Sequence, residues 1–178
     1  TVLQENLVWA RRLVDRHVAK AEIRGKPAQI GDACRNIEAS LRAGIERAQL
    51  EQILGKNPLT LDQLTGLTRM AADLRTWGVE GGDVVRVLAQ AANAGMGARE
   101  LAALEGKFAA GVAAGRPAPS LFAEFEREVV SVRPRDADVR DELQREMRQE
   151  MRREQMQDFK KPPMDAPSGP SGGGYPGY

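Results

Sequence analysis

Glycine limits what this chain can fold into. Gly25, Gly44, Gly78, Gly95 and Gly115 each close a run of apolar residues at helical spacing, and a new helix start follows within about five residues. Glycine enters the left-handed backbone region without a Cβ penalty, so each such position is a natural helix stop. The intervals are 19, 34, 17 and 20 residues, and Gly55 lies inside the longest. A chain cut this often builds short helices joined by tight corners. No segment sustains two-residue alternation with β-branched enrichment, so the spacing predicts no strands.

Between the breaks, one face of each segment is apolar. Leu3, Leu7, Ala10, Val14 and Ala21 mark a first helix running to near Gly25, and Pro27 opens a second through Ile30, Cys34, Ile37 and Leu41. Ile45, Ala48, Ile53 and Leu54 mark a short third. Thr60 with Gln63 forms a capping box that starts a helix bearing Leu61, Leu64, Leu67, Ala71, Leu74 and Trp77. Three more follow, marked by Val84 and Leu88, by Leu101, Leu104 and Phe108, and by Leu121, Phe125 and Val129, with Ser120 as the expected cap of the last. Paired, these helices make hairpins of about 37 residues, within the range of stacked helical repeats. The diagnostic residues of tetratricopeptide or ankyrin repeats are absent. The expected fold is all-α: an irregular helical bundle or a short, solenoid-like α-hairpin array.

The chain changes character twice. Residues 1–132 form the expected helical body. Residues 133–161 are an expected charged helical arm, and residues 162–178 a Gly/Pro/Tyr-rich low-complexity tail expected to be extended. After Pro134 the arm has strong helix formers and no glycine until beyond Lys161. Its apolar residues Val139, Leu143, Met147 and Met151 step by four, so the seam winds around a 3.6-residue helix and disfavours a long coiled coil. Methionine adapts to irregular partner surfaces, and four of the six lie beyond residue 140. Val139, Leu143, Met147, Met151, Met156 and Phe159 are therefore the candidate partner-binding residues of the arm, and Tyr175 and Tyr178 those of the tail.

Charge and chemistry exclude more than they assign. With 26 Lys+Arg against 25 Asp+Glu, the chain carries a formal charge of +1, and residues 135–161 hold eight of each sign. Neither the whole nor the arm is an electrostatic tether for nucleic acid or anionic lipid. No run approaches the roughly 18 apolar residues of a membrane span, so no transmembrane segment is expected. His17 is the only histidine and Cys34 the only cysteine, which excludes an intrachain disulfide and any site needing several of either. A packed thiol and a half-buried histidine are the ordinary readings, although a dyad between them across adjacent helices is conceivable. Gly95-Met96-Gly97 lacks the third glycine and the preceding strand of a dinucleotide loop, and Gly106-Lys107 lacks the rest of a phosphate loop. Gly111 and Gly115 read as close helix packing or termination. Glu124, Glu126 and Glu128 read as a solvated helix face.

No catalytic constellation and no cofactor motif emerges, which leans the reading away from an enzyme. The expected function is a non-enzymatic interaction or assembly protein, a helical scaffold whose arm and tail dock on a partner protein or on a neighbouring subunit of a homo-oligomer. One alternative is a small-molecule-binding or enzymatic helical domain with a pocket between hairpins near Trp77 and Phe108. The other is a secretion or envelope accessory protein; a processed N-terminus at Thr1 would favour the bacterial periplasm or cell envelope.

Overall fold

The corners repeat in their hydrogen bonds as well as in their spacing. In the computed structural model, which describes residues 1–132, 145–153, 156 and 169, Gly44 N–H donates to Leu41 O (3.1 Å) and Ile45 N–H to Ser40 O (3.0 Å). The same pair of bonds recurs at Gly78/Val79, Gly95/Met96 and Gly115/Arg116. This is the Schellman closure, which satisfies the last carbonyls of a helix and turns the chain. Ile45, Val79 and Met96, just past the glycine, are all buried and anchor their corners to the core. Arg116 breaks the series: it is exposed and pairs with Glu124.

Eight helices fill residues 1–132: α1 (Val2–His17), α2 (Lys20–Ile23), α3 (Pro27–Arg42), α4 (Arg47–Leu54), α5 (Leu61–Thr76), α6 (Gly81–Asn93), α7 (Ala98–Ala113) and α8 (Ala118–Ser131). The chain is all-helical among the described residues, apart from one isolated bridge between Val18 and Leu59. Packing alternates along the chain. One row runs α1, α3, α5, α7 and a second runs α4, α6, α8, and the rows meet where α5 touches α4 and α6 and where α7 touches α8. From α3 to α5 to α7, and likewise from α4 to α6 to α8, successive helices begin 34 and then 37 residues apart, whereas α1 begins 25 residues before α3.

The rows close on a continuous apolar core that includes Leu13, Ile37, Leu50, Leu64, Leu74, Leu88 and Phe108. Burying each such side chain contributes about 1.5–3 kcal/mol. The two buried hydroxyls are satisfied: Ser40 donates to Asn36 O and, across to α5, to Thr68 O (2.5 Å), while Thr68 donates to Leu64 O. Gly66 lets α7 approach, since a Cβ there would sit 3.3 Å from Leu101 Cδ1. Gly111 brings α7 against Leu121 of α8, whereas Gly115, at φ +76°, ends α7. Close packing and termination, both read from this GxxxG spacing, thus occur at different glycines.

Three local expectations are corrected. The first helix stops at His17, not near Gly25, because Val18 turns extended (φ −113°, ψ 133°) and Leu59 N–H donates to His17 O (2.9 Å). Burying Val18 beside Leu59 outweighs continuation of the helix, which resumes only for the single turn of α2. Leu3 and Leu7 share the spacing of Ala10 and Val14 but stay 50% and 37% exposed, and Ala21 is also exposed. The last helix begins at Ala118 behind Pro117, not at Ser120.

The contacts divide the chain into two units, Thr1–Ala137 and Asp138–Tyr178. In the second, residues 145–153 are helical.

Candidate functional site

The arm presents methionine to solvent. Met147, Met151 and Met156 are 53%, 57% and 69% exposed, whereas Met70 and Met96 of the body are buried. Met147 and Met151 lie one helical turn apart on the 145–153 helix. Val139, Leu143, Phe159, Tyr175 and Tyr178 fall outside the described residues.

The space near Trp77 and Phe108 is filled. The two rings stack at 4.8 Å and 9°, Phe125 meets Phe108 edge-on at 6.4 Å, and Phe122 lies 6.3 Å from Phe125. The void left against Phe108 and Phe125 is only about 30 Å³, room for roughly one water. A shallow groove of about 220 Å³ lies between Gly78–Asp83 and Ala118–Phe122.

A pair of carboxyls that the sequence spacing does not reveal bridges α5 and α7. Arg69 and Asp73 are one turn apart on α5, and Glu105 comes from α7, its Oε2 3.0 Å from Arg69 Nε. Burial pushes the Asp73 carboxyl up to about 7, and the hydrogen bond and like charge of Glu105 add to this, with Arg69 opposing. The Asp73 carboxyl is thus near its midpoint at neutrality, and below that pH the pair Asp73–Glu105 shares a proton. Neither carboxyl lines the void at Phe108 or the groove beside Gly78.

The sign of the pH dependence follows from that direction. A carboxyl whose folded pKa exceeds its unfolded value stabilises the native state most below about pH 4, and this contribution is lost as pH rises to about 7. Asp73→Asn is thus expected to match the parent near pH 4.5 and to exceed it at pH 8. The gain is about 1 kcal/mol, reduced from the full linkage value because the group is partly open to water. Thermal melts at the two pH values check it, and an equal shift at both would remove the shared proton from the account.

His17 and Cys34 do not make a dyad. Burial and the adjacent Arg16 lower the His17 pKa, with Glu51 opposing, and its Nε2 is buried without a hydrogen-bond partner. Burial raises the Cys34 thiol, and the charges acting on it come from Arg11, Asp15 and Arg35. Neither group acts on the other, and an unionised packed thiol is a poor nucleophile. Glu124, Glu126 and Glu128 each meet a cation, from Arg116, Arg86 and Lys107 respectively.

Among the described residues no three His, Cys, Asp or Glu side chains gather where they could hold a metal ion, and no helix is long and apolar enough to cross a membrane. No family model matches the chain, and no curated protein or solved structure matches it.

Proposed function

We propose that this chain is a non-enzymatic interaction and assembly protein. Its body is a short array of α-hairpins, and its C-terminal arm and tail dock on a partner protein or a neighbouring subunit. The observation that carries this reading is the partition of methionine: the body encloses Met70 and Met96, while Met147, Met151 and Met156 each leave more than half their surface in water. A flexible thioether gains most by packing against an irregular apolar surface, and the arm offers several at helical spacing. The equal 34 and 37 residue offsets of α3, α5 and α7 and of α4, α6 and α8 support the array, because in a stacked array each hairpin contacts mainly its neighbours. The filled space at Phe108 supports a body that acts as a support and not as a container.

Removing residues 133–178 is expected to leave the body folded and to abolish association at low micromolar concentration. Replacing Met147, Met151 and Met156 together with Gln is expected to weaken association about tenfold or more while leaving the melting temperature unchanged. Sedimentation velocity of the intact and altered chains, alone and with candidate partners, reads both. Undiminished association would end the docking role of the arm.

A further inference from the structure

The first row has an open end. α3 and α5 each lie between two row neighbours, whereas α1 has α3 as its only adjacent row neighbour. The free side of α1 carries Glu5, Val8, Trp9 and Arg12, which with Thr1, Gln4 and Arg47 line an open groove of about 560 Å³. Val8 is 50% exposed in it. The wall is fixed by Arg47, whose guanidinium lies 5.2 Å from the Trp9 ring centroid and donates to Asn6 Oδ1 (3.2 Å). On the same helix Arg11 is paired with Asp15, and Arg16 with Glu51. Among the described residues Glu5 and Arg12 have no ion-pair partner within the chain.

These two unpaired charges complement each other across a two-fold axis. In a symmetric contact, whatever residue i makes to residue j is repeated by j to i. In an antiparallel pairing of two α1 helices that sets Val8 against Trp9 of the second copy, Glu5 falls against Arg12 and Arg12 against Glu5, because both pairs centre on the same point of the helix. A parallel pairing instead sets like charge against like. We propose that a second copy of this chain docks on the free face of α1 in this antiparallel way, with Val8 and Trp9 at the centre and reciprocal Glu5–Arg12 pairs at the ends.

The contact lies on the body and does not depend on the docking role of the arm. One helix face per partner is below the roughly 1,200 Å² of a stable interface, so the dimer is weak, with dissociation in the range of roughly 10–100 µM.

Sedimentation equilibrium of the full chain from about 1 µM to 1 mM tests it. A monomer–dimer equilibrium is expected, weakened by added salt because the end contacts are ionic. E5R and R12E should each weaken it about tenfold, since each sets two like-charge pairs in the homodimer. Mixing the E5R chain with the R12E chain should restore the parent affinity, because both pairs in the mixed dimer are again opposite in sign. V8D should abolish the dimer. All three positions are exposed, so melting temperatures should be unchanged, and the reversals should weaken and complement alike in the M147Q/M151Q background, which takes association through the arm out of the measurement. A chain that stays monomeric throughout, a dimer insensitive to both reversals, or single variants that fail to complement each other would overturn the proposal.

Discussion

Phe108→Ala is expected to remove about 3–5 kcal/mol of stability, the range for emptying a buried aromatic site. Phe108 is 2% exposed and joins three segments: it stacks on Trp77 at the end of α5, meets Phe125 of α8 edge-on, and belongs to α7. The site has little freedom to collapse, because the rings around it are held by helices on either side. Domains of this size have only about 5–15 kcal/mol in total, so the loss is a large fraction of it. Urea unfolding followed by circular dichroism should show a lowered midpoint. A loss below about 1 kcal/mol would mean that the aromatic cluster is not what joins the last hairpin to the rest.

Two glycine substitutions should move stability in opposite directions. Gly44 has φ +96°, and a Cβ built there lies 3.3 Å from Arg75 Nη2. Arg75 is not free to move without cost, since its Nη1 donates to Val79 O (2.9 Å). Gly44→Val therefore combines left-handed strain, about 1–2 kcal/mol for an L residue and more when β-branched, with a disturbed hydrogen bond worth about 1 kcal/mol. A total loss of about 2–3 kcal/mol is expected. Gly106 sits inside α7 with an ordinary backbone and nothing within 4 Å of a built Cβ. Gly106→Ala should gain about 0.5–1 kcal/mol by lowering the entropy of the unfolded chain. Thermal or urea unfolding of the pair reads both signs, and a loss at Gly106 would place an unseen contact on that face of α7.

The same contrast separates what is legible in the chain from what is not. Pro27 opens α3, and Thr60 and Gln63 exchange their hydrogen bonds at 3.1 and 3.0 Å. The corners at Gly44, Gly78, Gly95 and Gly115 close as their spacing predicts. Each of these rests on groups within about five residues, so local sequence determines it. Where α1 stops is a different matter: nothing between His17 and Gly25 announces that Leu59, some forty residues on, will bond the backbone and hold Val18 in the core. The pairing of Asp73 with Glu105 is hidden for the same reason, since their meeting depends on which flank of α5 receives α7. Leu3 and Leu7 look like core residues by period, yet remain partly in water. Helical period and chain breaks thus determined an all-α body of short helices. Only the tertiary packing decided which helices are neighbours, which carboxyls come together and which apolar face stays open, because those outcomes depend on contacts between residues far apart in the chain, each made only once the helices have docked.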